Sequence, residues 1–384
     1  MKQMSFSDIY FKEHERYISE TAVMNGKEYH SFISADYYSL NTHPAIKQAA
    51  IDAIQTYGTS LSVGQFSDRS PLIKQLEAQL CAVTNMAASC IFTSGYTANL
   101  GAISATSKID NVFYLYDKLC HASIVSAIKS TNCGSEAFAH NDMEELATKL
   151  GTHQDKTIIV ITEGLYSADG DFVDLPSIAA LKERYKFLLY VDEAHSFVIS
   201  NTQKNVAHIF DEVTAGSIDI ISGSLSKALC STGGFVVAST KMIDRIRMSR
   251  EYIFSTGITP SNIAASVACL TLLSATDRHQ KLAENIAYFR HKAKQNNIDL
   301  GMSNTISPIF TIFPNASCAE LYQSLLDEGI LVQPLLYPAV PKEHERLRVL
   351  INAAHETHQL DALINSVISK HHPHDNTEAL ELSE

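Results

Sequence analysis

Between about residues 72 and 240, short apolar runs take turns with helical patterns, and this alternation restricts the chain more than any other feature. The runs are Ser89–Phe92, Val112–Tyr116, Thr157–Ile161, Phe187–Val191, Ile218–Ile221 and Gly234–Ala238. The helix-like segments are Leu72–Val83, Tyr96–Thr106, Ile124–Lys129, Met143–Leu150 and Leu175–Tyr185. Strands separated by helices need crossover connections, so the spacing predicts an α/β fold with a mostly parallel sheet covered by helices on both faces. In such a sheet, functional side chains gather at strand ends and in the loops that follow.

The flanks read differently. Residues 1–31 suggest a polar, partly helical arm. Asn41-Thr42-His43-Pro44 reads as a helix start for a segment from Ala45 to Tyr57, and residues 58–70 as a Gly/Ser-containing loop. Residues 241–295 are mainly helical in pattern. Strand runs at Pro308–Phe313, Ile330–Leu336 and Leu347–Ile351, with helices at Ala319–Glu328 and Leu360–Ser369, predict a smaller C-terminal α/β domain. The expected division is an arm over 1–45, a large domain over 46–275 and a small domain over 276–384. The tail from His371 reads as polar and frayed. Its His371-His372-Pro373-His374 is expected to be solvated, and no metal site is expected.

The bulk numbers exclude some classes. A chain of 384 residues with 45% apolar and 19% charged residues has the balance of a soluble globular protein. Its net charge of −12, without a dense Lys/Arg run, opposes a nucleic-acid surface. The N-terminus lacks the apolar core of a secretory signal, and no stretch is long enough for a membrane span. Seven cysteines without Cys-x-x-Cys spacing suggest reduced thiols and a cytoplasmic location.

Chemistry concentrates around Lys227 in Ser224-Leu225-Ser226-Lys227-Ala228, where an apolar run enters a turn of small residues. An amine projecting from a strand end into a cleft suits Schiff-base formation. Asp192 ends the run Phe187–Val191, and a carboxylate there can keep a pyridine nitrogen protonated. His195 follows three residues on and can hydrogen-bond a phenolic oxygen. His121, in His121-Ala122-Ser123, can stack on a ring. Ser94-Gly95-Tyr96 opens a helix whose free N–H groups can bind phosphate. Together these describe a pocket for pyridoxal phosphate. Asp192-Glu193-Ala194-His195 also matches a helicase Walker B variant. The phosphate-cradling Gly-x-x-x-x-Gly-Lys partner is absent, however, as is the Gly-x-Ser-x-Gly elbow of a serine hydrolase.

The blocks in order are Thr93–Asn99, His121–Ser123, Phe138–Asp142, Thr162–Asp171, Val191–His195, the lysine block, Phe254–Thr256, Arg346–Arg348 and Ala353–His355. From about Phe32 to His355 the chain thereby resembles the α-oxoamine synthases, fold-type I pyridoxal-phosphate transferases with a large and a small domain. The resemblance implies that Lys227 carries the cofactor and moves the proton, Asp192 pairs with its ring nitrogen, His195 contacts its phenolic oxygen and His121 stacks on it. Glu163 and Ser167 would line the cofactor and substrate wall. Gly95, Tyr96 and Ser224 would hold the phosphate, with Thr256 reaching that of a neighbouring subunit in a homodimer. Arg348 would grip the carboxylate of a small amino acid. The implied reaction condenses that amino acid with an acyl-CoA, releasing CoA and CO₂ to give an aminoketone.

Departures fall on the substrate side. Ala35-Asp36-Tyr37-Tyr38-Ser39-Leu40 replaces the family's Asn-(Asp/Asn)-Tyr-Leu-Gly-Leu, and only Gly64 remains of a glycine-rich loop. Ile73 replaces a usual histidine, Ser196-Phe197 stands after His195 where Gly-x-Gly is usual, and Cys230 stands where glycine is common. These lean the expectation towards synthases of quorum-sensing autoinducers. The alternatives are 8-amino-7-oxononanoate synthase, 2-amino-3-ketobutyrate CoA ligase, another fold-type I aminotransferase or lyase, or a non-catalytic relative. Asp36, Tyr37 and Phe66 are candidates to line an acyl channel.

Overall fold

In the computed structural model, which describes residues 12–65, 70–199, 206–210, 215–314, 317–337, 340 and 342–371, the described part of the expected polar arm, residues 12–31, forms a β-ribbon. Strands β1 (Arg16–Ile18), β2 (Thr21–Met24) and β3 (Lys27–Ser31) pair antiparallel. Asn25 and Gly26 join β2 to β3, both at positive φ (50° and 71°), the left-handed pair that a two-residue hairpin turn requires. Polar composition misleads here because one side of the ribbon is covered: Ala22 and Met24 are buried against Leu331, while Lys27 and Glu28 stay exposed.

Helix α1 (Pro44–Tyr57) is capped by His43, and α2 (Pro71–Thr84) by Ser70, each with proline in its first turn. There follow β4 (Ala88–Phe92), α3 (Gly95–Thr106), β5 (Val112–Asp117), α4 (Ala122–Lys129), β6 (Gly134–Phe138), α5 (Met143–Thr152), β7 (Thr157–Glu163), α6 (Leu175–Arg184), β8 (Phe187–Asp192), β9 (Ile220–Ser224) and β10 (Gly234–Ala238). Among the described residues these strands form one seven-stranded sheet in the order β4-β10-β9-β8-β7-β5-β6. Strands β6, β5, β7, β8 and β9 run parallel, and β10 pairs antiparallel with both β9 and β4. Six consecutive residues of β7, Ile158 to Glu163, are buried, as expected of a strand covered on both faces. Strand β6 is absent from the sequence expectation because Gly134-Ser135-Glu136 carries no apolar run; it is an edge strand with an exposed start.

Strand order makes the site. From β5 the chain moves outward to β6, then returns to β7 on the other side of β5 and continues through β8 and β9. The reversal opens a crevice at the carboxyl ends of the parallel strands. Those ends are Asp117, Glu163, Asp192 and Ser224.

Helices α7 (Thr240–Arg247), α8 (Arg250–Ile253), α9 (Pro260–Leu273) and α10 (Arg278–Gln295) supply the expected helical stretch. Then come β11 (Ile309–Ile312), α11 (Cys318–Asp327), β12 (Ile330–Leu331), β13 (Gln333–Leu335), β14 (Arg346–Leu350) and α12 (Thr357–His371). The chain divides into two compact units, one of Ala35–Lys281 and one joining the residues up to Ser34 with those from Leu282 onward. The N-terminal strands therefore belong with the C-terminal unit instead of forming a separate arm, because β3 pairs in parallel with β12, His30 opposite Ile330. Within that unit His355 is a structural residue. It is fully buried, stacks on Phe32 at 4.5 Å and holds the Ser31 carbonyl at 2.9 Å. The His372–His374 tail and Phe66 lie outside the described residues.

Candidate active site

Three side chains converge from separate strand ends in the larger unit. Glu163 closes β7 opposite Asp192 at the end of β8, and Asp192 lies opposite Ser222 in β9. Beyond β9 the chain turns tightly. The Leu225 N–H donates to the Gly233 carbonyl and the Cys230 N–H to the Lys227 carbonyl, both at 2.9 Å, which sets Lys227 on the lip of the crevice, half-buried. Its charge acts on both Glu163 and His121.

Electrostatics are deliberately unbalanced here. Burial, and then repulsion from Asp192, push the Glu163 carboxyl up to about 8, against the pull of Lys227 and of backbone N–H groups from His121 and Ser167. Glu163 therefore carries a proton at neutral pH, and its buried Oε1 has no hydrogen-bond partner. Glu193 is likewise raised to about 8 by burial, although the Val206 N–H donates to it at 2.9 Å. His121 caps α4 and is exposed, so its ring presents an open face. Desolvation still holds its pKa below the ordinary value; Lys227 adds to the effect and Asp192 opposes it.

His195 is buried and oriented by Tyr37, whose hydroxyl lies 2.7 Å from Nδ1. Tyr37 is thus a fully buried support for the site. Asp36 is also buried and accepts from the Leu40 and Asn41 N–H groups, a turn cap. The start of α3 meets the end of β9. A Cβ on Gly95 would stand 3.3 Å from the Ser224 Cβ, and one on Gly234 would strike the Ser94 carbonyl at 2.2 Å. Glycine at both places lets the open N–H groups of Gly95 and Tyr96 sit beside the Ser224 hydroxyl, a cradle for an anion.

Sequence reasoning placed one polar residue in a block, Thr93–Asn99, without giving it a role. Asn99, the buried fifth residue of α3, donates through Nδ2 to Asp192 Oδ2 at 2.7 Å and to Ser123 Oγ at 2.9 Å. Its Oδ1 accepts from Tyr190 at 2.7 Å and Ser222 at 2.6 Å. The available signal is an asparagine inside a helix that is otherwise apolar or small on every side. Two expected residues lie on other elements. Thr256 is exposed on the loop after α8, bridged to Gly64. Arg348 lies on β14 of the other unit, where Nη2 donates to Gln333 Oε1 at 2.5 Å.

The donor set fits pyridoxal phosphate. There is an anion cradle, a buried carboxylate with an amide holding one oxygen, an open imidazole face and a buried acid with an unused oxygen, all around one lysine.

The aminotransferase class I and II family matches residues 32–367. An 8-amino-7-oxononanoate synthase from Thermoanaerobacter pseudethanolicus is 35% identical over 352 residues, covering 90% of this chain and 88% of that protein. A serine palmitoyltransferase from Sphingobacterium spiritivorum is 31% identical, covering 94% and 90%. Among solved structures, a serine palmitoyltransferase variant from S. paucimobilis with a bound PLP–myriocin aldimine is 25% identical with a TM-score of 0.86, covering 92% of this chain and 90% of that one. The chain belongs to the aminotransferase class I and II family, in the α-oxoamine synthase branch of the fold-type I pyridoxal-phosphate enzymes.

Proposed function

We propose that this chain is a pyridoxal-phosphate-dependent C-acyltransferase that joins a small amino acid to an acyl thioester, with loss of CO₂. The observation that carries the reading is the convergence of Glu163, Asp192, His121 and Lys227 at one crevice, with a single cation among buried carboxyls. Bound there, pyridoxal phosphate supplies an electron-poor ring that drains charge from the substrate α-carbon. Asp192 holds the ring nitrogen protonated, His121 covers a ring face and His195 donates to the phenolic oxygen. Lys227 carries the proton to and from the α-carbon. Glu163, protonated at neutral pH, donates a hydrogen bond to the substrate side. Gly95, Tyr96 and Ser224 anchor the phosphate. Thr256 completes that anchor for a second copy in a homodimer, and Arg348 takes the amino-acid carboxylate, as in the family.

The relatives above favour an 8-amino-7-oxononanoate synthase over an autoinducer synthase, the opposite of the lean drawn from the substrate-side departures. One observation keeps the second reading in play. Cys230, three residues after Lys227, and Val198, three after His195, both take positive φ (41° and 56°). The β-branched Val198 is strained there, and Cys230 adds a side chain to the turn that bears Lys227. Mass spectrometry of products from a mixture of acyl thioesters and small amino acids separates these readings. Turnover confined to pimeloyl thioester supports the first, and turnover of medium-chain acyl-CoA the second. Transamination without release of CoA overturns both.

A further inference from the structure

The hydrogen-bond pattern around Asn99 admits one arrangement of protons. Asp192, already accepting the Ala194 N–H at 2.9 Å, offers Asn99 only acceptor oxygens, so the amide must turn Nδ2 towards it. Both Nδ2 protons are then used, one on Asp192 and one on Ser123 Oγ. Both Oδ1 lone pairs are filled by Tyr190 and Ser222. Ser123 Oγ, accepting from Asn99, keeps one proton and one lone pair, and its neighbour at 2.8 Å is His121 Nδ1, whose role the backbone settles. The same nitrogen faces the Ser123 N–H at 3.2 Å. Nδ1 therefore receives two donors, and a proton on it would point at both. Asn99 and Ser123 are almost fully buried, so water does not replace these partners cheaply.

We propose that Asn99 is a positioning residue that links the carboxylate serving the ring nitrogen to the imidazole covering the ring, and that through Ser123 it locks His121 as the neutral tautomer protonated on Nε2. The inference rests on the pyridoxal-phosphate reading of the site. It adds a reason for His121 to stay uncharged beside Asp192, where a carboxylate alone would favour an imidazolium. A neutral ring stacks on the cofactor without competing with it for Asp192.

The test is ¹⁵N NMR of histidine-labelled protein, with and without cofactor, the His121 signals being assigned by their loss in His121→Gln. The wild-type chain should show an unprotonated Nδ1 and a protonated Nε2 throughout the neutral range. Ser123→Ala removes one hydroxyl and leaves the Asp192–Asn99 bond. It should mix the two tautomers and move the His121 titration upward. Asn99→Ala should do the same, shift the pH dependence of the cofactor's visible absorbance and lower kcat by about 10- to 100-fold, the size usual for groups that orient a ligating side chain. Should Asn99→Ala not fold, Ser123→Ala decides alone. A protonated Nδ1 in the wild type, or unchanged His121 tautomer and titration in Ser123→Ala, overturns the proposal. A protein that makes no ketone product but keeps the wild-type tautomer would defeat the acyl-transfer reading and leave this one standing.

Discussion

Two polar clusters share the carboxyl edge of the central sheet, and they are built on opposite plans. At the end of β5, Asp117 meets His140 Nδ1 at 3.0 Å, and His140 Nε2 meets Asp171 at 2.7 Å. Asn141, at φ 51°, donates its N–H to Asp117 at 2.9 Å. One cation sits between two anions. Burial alone would push His140 down, but the bonds and charges of Asp117 and Asp171 raise it to about 9. A few residues along the same edge, Glu163 and Asp192 share Lys227, Glu163 keeps an orphaned oxygen, and the shifts run towards neutral forms. In the first, bonds from both carboxylates hold His140 as a cation and strap the turn bearing Ser167, with Asp171 Oδ1 left without a hydrogen-bond partner. In the second, burial and like charge favour the neutral acid. Both clusters consist of carboxylates and histidines and both keep an orphaned oxygen, so the direction of the charge shifts is what separates them.

The contrast can be tested from its strongest point down. Lys227→Ala should abolish the visible absorbance of lysine-bound cofactor and cut kcat by on the order of 10³-fold or more, with the melting temperature of the cofactor-free chain little changed. Retained absorbance would remove Lys227 from the site. In the first cluster, His140→Leu should leave two carboxylates facing each other and destabilise the unit by about 3–5 kcal/mol in denaturant titration. Wild-type stability should also fall as pH rises. The proton on His140 is held in the folded state up to about 9 but lost near 6.5 in the unfolded chain. Its contribution of about 3 kcal/mol is whole below 6.5 and gone above about 9.

The second cluster has its own pH signature. The folded chain keeps the Glu163 proton up to about 8, while the unfolded carboxyl releases it near 4.5. Stability should therefore decline between those values and level off above them. Glu163→Gln should remove part of that decline in melting temperature measured against pH, leaving the share of Glu193. An unaltered slope would show that Glu163 is ionised in the fold. The smallest effect expected is from Cys230→Gly, which relieves the left-handed backbone and should stabilise the chain by about 1 kcal/mol. If its kcat/KM for different acyl chain lengths also changes, Cys230 touches the acyl group.

Legibility followed the physics of each region. Strands β5, β7 and β8 were visible because a strand buried on both faces must be continuously apolar, and the polar residue that ends such a run stands at the crevice. Asp192 is singled out in that way and Lys227 by the small-residue turn after such a run, whereas Glu163 enters through the family resemblance. β6 was not, since an edge strand needs no apolar run. The N-terminal ribbon was misread although Asn25-Gly26 marked its turn, because polarity was weighed above turn chemistry. His140 and Asn99 each stand in a recognised block, Phe138–Asp142 and Thr93–Asn99, but neither received a role. Their partners lie on other elements (Asp117 and Asp171 for one, Ser123, Asp192 and Ser222 for the other), and contacts between distant positions leave no local pattern in one sequence.

The parallel pairing of β3 with β12 sets a schedule for biosynthesis. Ile330, the neighbour of His30, is added 300 residues after it. The opening ribbon can form its own hairpins at once, but the β3 edge that meets β12 has to wait for a strand that is made much later.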